Sequence, residues 1–401
     1  MLSPTLFNLF LSDLPQTLNR TETEHVKIDS TPVSCILYAD DLVIVSKTAK
    51  GLQKYLDKLE EYSNTEGIEV NKDKTKVMIF NNNGHRMNSY QFHYKNSTLE
   101  NVKNYKYLGL VFNTFGHSNE ARNELKKVGL KALFKLEREM GEQFRTNPKL
   151  TMRLFDALVK PILLYGSEVW GIDNKEKNEG KDPAEIVHIK FCKMLLGVPT
   201  NASNNACRAE LGRIPLKTTS NYRSIKFWMK LITSKTPKLS CKMLQESENN
   251  EHYSYWNFKI KSLLFNIGLG NVWLEKNYNA EKKHNIWLKN VKRRLTDIAI
   301  QTWYADLHND NRKNKDQRNK LRIYRQFKTI YKYENYLTQV KNIKHRVALT
   351  KLRISSHKLQ IERGRYKKPY TKPEDRTCPK CQTCMEDERH VFIKCTQCTI
   401  I

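Results

Sequence analysis

The sequence predicts an α+β chain: a strand-rich N-terminal third, a mostly helical remainder and a small cysteine-rich tail. Three observations carry this. Two short β-prone runs, Cys35–Leu37 and Leu42–Val45, stand so close around Asp40-Asp41 that only a tight turn fits between them. From Asn119 onward Ala121, Leu125, Val128, Ala132, Leu136 and Met140 recur at helical spacing, and the helical pattern persists beyond Tyr165. Five of the nine cysteines, Cys378, Cys381, Cys384, Cys395 and Cys398, fall in the last 24 residues, which is metal-site clustering rather than a disulfide framework.

Taken in order, Ser3-Pro4 reads as an N-cap with proline at the first helical position, with Leu6, Leu9, Phe10 and Leu14 on one face until Pro15 stops the helix. A charged loop leads to the Asp-Asp hairpin. Residues Thr48–Asn64 carry Leu52, Tyr55, Leu56, Leu59 and Tyr62 on a helical stripe, with Gly67 as the stop. Ile68–Val70, the turn Asn71–Thr75 and Val77–Phe80 read as strand, turn, strand. Tyr90, Phe92 and Tyr94 alternate, and Tyr105–Phe112 is a further strand run; the whole segment is expected to build one open sheet. Asn147-Pro148 starts another helix that runs to Lys160 and meets Pro161. Polar stretches at Asn174–Lys181, Glu246–Glu251 and His308–Lys315 read as loops. All six tryptophans lie in the helical part, where core packing is their ordinary use.

The chain carries 70 Lys+Arg against 42 Asp+Glu, a net +28, with a pI near 9.6. That much self-repelling charge implies a polyanionic partner, and nucleic acid fits through phosphate contacts and counterion release. Residues 301–370 hold 19 Lys+Arg and 5 Asp+Glu, half the net charge in 70 residues. Tyr324, Phe327, Tyr331, Tyr333 and Tyr336 are interleaved there, as stacking platforms for unpaired bases or as the buried stripe of basic helices. No run approaches the length of a membrane span and no signal peptide is visible, so a reducing intracellular setting, nucleus or cytoplasm, and no membrane partner are expected.

Two constellations carry chemistry. Adjacent carboxylates on a rigid tip repel each other, and divalent cations relieve that repulsion; paired metals held by such acids are the working parts of phosphoryl transfer. An ordinary hairpin with Asp-Asp at its turn is the bland alternative. In the tail, Cys378, Cys381, His390 and Cys395 form a C-x2-C-x8-H-x4-C spacing suited to a closed structural Zn²⁺ site, with Cys384 and Cys398 as possible substitutes.

Together these residues resemble the reverse transcriptases of non-LTR (LINE-type, jockey-like) retrotransposons, specifically their C-terminal portion. The resemblance runs through Leu2–Asn8, Tyr38-Ala39-Asp40-Asp41, Gly67 with Asn71 and Lys74-Thr75, Tyr107-Leu108-Gly109, Pro161–Gly166 with Glu168–Trp170, Glu210–Pro215, Leu352–His357, Glu362–Tyr366 and the cysteine-rich tail. It implies a partial polymerase palm over 1–113 with a primer-grip hairpin, thumb-like helices over 114–172, a basic helical region over 173–370 and a zinc knuckle over 371–401. It implies an RNA-directed DNA polymerase using RNA template, DNA primer or target and dNTPs, with Mg²⁺ or Mn²⁺ on Asp40 and Asp41. Lys74 would sit at the pyrophosphate leaving group. Tyr38, Ser3, Pro4, Phe7, Asn8, Tyr107, Leu108 and Gly109 would contact primer or substrate. Lys341, Lys344, Arg346, Lys351, Arg353, Arg363, Arg365, Lys367 and Lys368 would hold nucleic acid. The family's palm has a third carboxylate on a strand preceding everything here. The expectation is therefore an N-terminally truncated polymerase with little activity alone, or else a non-catalytic nucleic-acid-binding remnant.

Overall fold

The computed structural model describes residues 3–80, 90–173, 181–234, 236, 238–249, 255–275, 281–309, 320–367, 369 and 371–397. The chain divides into two compact units, 1–121 with 227–261 and 122–226 with 262–401. The division does not follow the sequence-expected boundaries at 113, 172 and 370. The segments expected as thumb, basic region and knuckle share one unit, and a stretch from the middle of the chain returns to the first.

Unit 1 opens with α1 (Ser3–Phe10) and α2 (Leu14–Asn19). The expected single helix breaks at residues 11–13, and Pro15 lies in the first turn of α2, where its missing N–H costs nothing. The break changes which face packs. Leu11, Leu14 and Leu18 enter the core, whereas Leu6, Leu9 and Phe10 stay exposed. Hairpins β1–β2 (Val26–Ile28, Thr31–Val33) and β3–β4 (Cys35–Tyr38, Asp41–Ile44) follow. Helix α3 (Ala49–Glu66) is capped by the Thr48 hydroxyl, which accepts from the Gly51 N–H, and ends on left-handed Gly67, close to its expected bounds. Its Tyr55, Leu56, Leu59 and Tyr62 are buried.

Among the described residues the remaining strands make two further sheets rather than one open sheet. β5 (Lys76–Val77), β7 (Ser97–Asn101) and β6 (Phe92–Tyr94) form a mixed three-stranded sheet in that order. Ile68–Val70 is not a strand. β8 (Asn104–Tyr107) and β9 (Leu110–Asn113) are a hairpin, so Tyr105–Phe112 is not one strand: Leu108 and Gly109 both take positive φ, as a type I′ turn requires. Phe92, Tyr94 and Leu99 seal the core against α3, and the Gln53 amide bonds His93 in both directions, donating to its O at 2.9 Å and accepting from its N–H at 3.0 Å.

Unit 2 is helical. α4 (Asn119–Met140) leads in, and its packed stripe is Leu125, Gly129, Leu133 and Leu136; the expected Val128 faces outward. A Cβ on Gly129 would stand 2.4 Å from Leu163. After α5 (Gln143–Thr146), α6 (Pro148–Leu154) is capped by Asn147, passes through a π-turn at Phe155–Val159, and continues as α7 (Lys160–Leu163). The wider turn accommodates the Pro161 ring, so the helix does not end there. Next come α8 (Ser167–Trp170), α9 (Pro183–Leu196, capped by Asp182 and Gly197), α10 (Asn204–Glu210) and α11 (Leu216–Ile232).

The chain then forms α12 (Leu239–Asn249), which belongs to unit 1: Lys242 donates to Thr31 Oγ1 at 2.7 Å and Glu246 accepts from the Asp29 N–H at 3.1 Å. α13 (Tyr255–Asn266), α14 (Gly270–Glu275), α15 (Glu281–His308), α16 (Tyr324–Phe327), α17 (Tyr336–Gln339), α18 (Ile343–Arg353) and α19 (Gln360–Arg363) complete the helices. Trp228, Trp273 and Trp303 are buried core residues, the use expected of them.

Two buried ionic centres organise unit 2. Glu185 on α9 accepts from Arg208 at 2.7 Å and from the Leu216 N–H at 2.8 Å, and His188 bridges it to Arg213. Arg213 lies over the stacked rings of Phe155 and Phe191 and donates to Asp156. Glu210, fully buried, receives both Arg353 and the Tyr336 hydroxyl. Gly212 follows it with φ +62°, and a Cβ there would stand 2.6 Å from the Tyr333 nitrogen. The Glu210-Leu-Gly-Arg213 run is thus a structural knot.

Candidate functional site

The Asp-Asp tip is built by β3 and β4. Register pairs Tyr38 with Asp41, Leu37 with Leu42 and Cys35 with Ile44, leaving Ala39-Asp40 as the loop. Period-two alternation sorts the faces. Cys35, Leu37, Leu42 and Ile44 pack on the unit 1 core, while Tyr38 (63% exposed), Ile36 and both carboxylates point outward. The strands are therefore only half covered. Ala39 takes φ +51°, a conformation that costs a side-chain-bearing residue about 1–3 kcal/mol and gathers at functional turns. Among the described residues, neither Asp40 nor Asp41 has a hydrogen-bond or ion-pair partner. Two adjacent, uncompensated carboxylates on a fixed turn are a donor set that fits a divalent cation.

The β8–β9 hairpin shares this neighbourhood. The Tyr107 hydroxyl is buried without a hydrogen-bond partner, and burial, then the Asp41 charge, raise its pKa. Leu108 and Gly109 form the hairpin's turn. The turn at 71–75 is locked by Asn71, whose Oδ1 accepts from the Lys74 N–H at 3.1 Å. It is tied to β8 by the Tyr105 hydroxyl, which donates to the Lys74 carbonyl at 3.0 Å. The Lys74 side chain is exposed. Phe7 packs on the unit 1 core and Asn8 is exposed on α1; the side chains of Ser3 and Pro4 lie outside the described residues.

In unit 2 the expected tail ligands converge. One atom each from Cys378, Cys381, His390 and Cys395 lies within 4.8 Å of the others, with Cys378 and Cys395 sulfurs 4.0 Å apart and Cys381 Sγ 3.3 Å from His390 Nε2. A tetrahedral zinc site with S₃N ligands has donor atoms roughly 3.3–3.8 Å apart, so the set fits. Cys384 is exposed and outside the group; Cys398 lies outside the described residues. Hydrogen bonds from Thr383 hold the Cys381 thiol down to about 6. The tail is not a free-standing knuckle. Arg322 bridges Glu362 and Glu388 at 2.9 and 2.8 Å, His357 meets Glu388 at 2.8 Å, and Arg376 donates to the Ile361 carbonyl at 2.7 Å.

The expected nucleic-acid contacts separate into two groups. Arg346 is buried, donating to the Leu337 and Arg145 carbonyls; Arg353 serves Glu210 and Glu334; Arg365 pairs with Glu362 at 2.9 Å. These three hold the fold: Arg346 and Arg353 find acceptors far along the chain, and Arg365 pairs with the buried Glu362 one turn away. Lys341, Lys344, Arg363 and Lys367 are exposed and Lys351 half-exposed; Lys368 lies outside the described residues. The interleaved aromatics are packing residues too. Tyr324 is fully buried, Tyr331 donates to the Arg213 carbonyl, Tyr336 to Glu210, and Phe327 lies under Arg353. Sequence reading missed Arg145, Lys190, Lys193 and Lys358, which join Lys351 and Arg363 around one groove, since no local pattern links them.

An outward Asp-Asp hairpin thus stands beside a second tight hairpin and is backed by a long capped helix. Residues 1–112 match the family described as reverse transcriptase (RNA-dependent DNA polymerase). The chain is also similar to proteins of mobile elements. It is 23% identical over 206 residues to the RNA-directed DNA polymerase from the mobile element jockey of Drosophila melanogaster, covering 50% of this chain and 21% of that one. It is 27% identical over 175 residues to an uncharacterised transposon-derived protein of Caenorhabditis elegans (43% of this chain, 60% of that one). It is 30% identical over 122 residues to the Pol polyprotein of a type-2 retrotransposable element of Drosophila melanogaster (29% of this chain, 11% of that one). The chain thus spans about a fifth of the jockey polymerase and three-fifths of the nematode protein.

Proposed function

We propose that this chain is part of an RNA-directed DNA polymerase that extends a DNA primer on an RNA template from dNTPs, working in the nucleus or cytoplasm. The observation that carries the reading is the outward, uncompensated pair Asp40-Asp41 within the family match. Bound there, Mg²⁺ or Mn²⁺ would lower the pKa of the primer hydroxyl and neutralise phosphate charge. The chain's own residues then position the reactants. Tyr38, directly across from Asp41, offers an exposed ring to the primer end. Tyr107, Leu108 and Gly109 close the site from the neighbouring hairpin. Lys74 supplies a cation for the leaving pyrophosphate, and the α1 face with Ser3, Pro4, Phe7 and Asn8 supports the duplex. In unit 2, Cys378, Cys381, His390 and Cys395 would hold a structural zinc ion.

Primer extension on an RNA template with Mg²⁺ or Mn²⁺ that disappears in Asp40→Ala is the expected result. A companion Mn²⁺ titration should broaden NMR signals of residues 38–41 selectively, and Asp40→Asn/Asp41→Asn should abolish the broadening. A second reading, a non-catalytic nucleic-acid-binding protein, is favoured by one observation: among the described residues only two carboxylates meet at the tip. Salt-sensitive RNA binding with no extension and no selective broadening would establish it instead.

A further inference from the structure

We propose that the basic groove of unit 2, formed by α9, the loop that follows it and the α18–α19 segment, binds single-stranded RNA, with phosphates on its rim and a base stacked on Tyr366. The groove encloses about 1130 Å³ and is edged by Arg145, Lys190, Lys193, Lys351, Lys358 and Arg363. Two carboxylates also line it, but both are spent. Glu185 is held by Arg208, and Glu362 by Arg322 and Arg365. The open charge of the groove is therefore positive, and a concave surface of one sign focuses its field on a polyanion.

Further features point to RNA in single-stranded form. Tyr366, 62% exposed at the groove margin, presents a ring that only an unpaired base can stack on. Thr200, Asn201, Asn204 and Ser356 line the interior with hydroxyl and amide groups of the kind that read a 2′-hydroxyl. Ser355, also on the lining, is fully buried, has a hydroxyl with no hydrogen-bond partner and takes φ +53°. A buried unpaired hydroxyl on a strained backbone is costly, and a ribose or phosphate oxygen entering the groove would supply its partner. The proposal rests on the reading of the chain as one that handles RNA, but not on the Asp40-Asp41 site.

The test is fluorescence anisotropy of the full chain with a labelled 12-nucleotide RNA and its DNA counterpart across a salt series. Lys190→Glu/Lys358→Glu should weaken RNA binding roughly tenfold or more and flatten the log–log salt slope by about 1.4, two phosphate contacts at about 0.7 each. Lys289→Glu/Arg293→Glu makes the same charge change on exposed residues of α15 outside the groove and should leave affinity nearly unchanged. Tyr366→Ala should weaken binding roughly fivefold or more without altering the slope, with Tyr366→Phe retaining it. Tyr366 is exposed, so this arm stands even where the double charge variant fails to fold. Equal losses in the two double variants, no loss in Tyr366→Ala, or equal affinity for DNA would each overturn the proposal. Asp40→Asn separates the two readings: lost extension with unchanged RNA affinity leaves the groove standing, whereas groove variants that lose RNA affinity but keep extension on a pre-annealed template leave the polymerase standing.

Discussion

Glu210 has no exposed surface, and its carboxyl oxygens accept from Arg353 and from the Tyr336 hydroxyl. Removing one partner of a buried pair strands the other, so Glu210→Ala should cost about 3–5 kcal/mol in urea unfolding; a loss under about 1 kcal/mol would mean that Glu334 alone satisfies Arg353. The neighbouring centre sets a pH dependence. Arg213 Nε donates to His188 Nε2 at 2.8 Å, so that nitrogen must be a bare acceptor and the His188 Nδ1–H faces Glu185. Burial, aided by Arg213 and Arg208, accordingly lowers the His188 pKa below its ordinary 6.5. Burial alone would raise Glu185, but His188, Arg208 and the Leu216 N–H outweigh it and hold the carboxyl at about 2. Both native pKa values are depressed. The stability His188 contributes is complete above pH 6.5 and lost as pH falls through its lowered value; that of Glu185 is complete above 4.5 and lost toward 2. His188→Gln, which can still donate one way and accept the other, should flatten the decline between pH 6.5 and 4.5 and keep the decline below it; urea midpoints from about pH 7.5 to about pH 2 measure both. Neither centre was legible in the sequence, because apart from Glu185 and His188 the partners lie 23 to 143 residues apart and a lone arginine in a basic stretch gives no sign of an internal acceptor.

At the scale of elements, what could be read was local. The Asp-Asp hairpin, α3 with its Thr48 and Gly67 ends, and the Asn147-Pro148 start all depend on residues within one turn of each other. The single open sheet failed because strand partnership is non-local: β7 pairs with β5 and β6, and Ser97–Asn101 has too few apolar residues to read as a strand. The tail shows both sides. Its four converging ligands were legible from spacing, whereas its docking through Arg322, Glu388 and His357 was not. Its consequence is testable. Each chain should retain one zinc by elemental analysis, lost in Cys381→Ser and kept in Cys384→Ser. Because ligand convergence and tail docking share residues 376–395, chelation should reduce hydrogen-exchange protection at Ile361 and Gln360 as well as within the tail. Protection that persists at 360–361 after zinc removal would make the tail an independent element.

For the molecule as a whole, the decisive fact is that unit 1 is discontinuous. Its main apolar cluster, Leu11 to Leu99, lies within the first hundred residues, so a fragment of residues 1–121 retains the contacts that seat α3 on its strands and position the Asp40 hairpin. What it loses is α12, which returns after more than a hundred intervening residues and supports β1–β2 through Lys242 and Glu246. An isolated two-stranded hairpin is marginal in water, so support from a packed helix decides whether it persists. The return of α12 closes a long loop, yet closure entropy grows only slowly with length and a few well-placed contacts offset it. Fragment 1–121 should therefore keep hydrogen-exchange protection across α3 while the amides of Val26, Ile28 and Val33 exchange at least about tenfold faster than in the full chain, as an opening free energy lowered by about 1.4 kcal/mol requires. Equal protection at those amides would show that the hairpin stands without α12 and that the first unit is continuous in energy, even though it is not in contact.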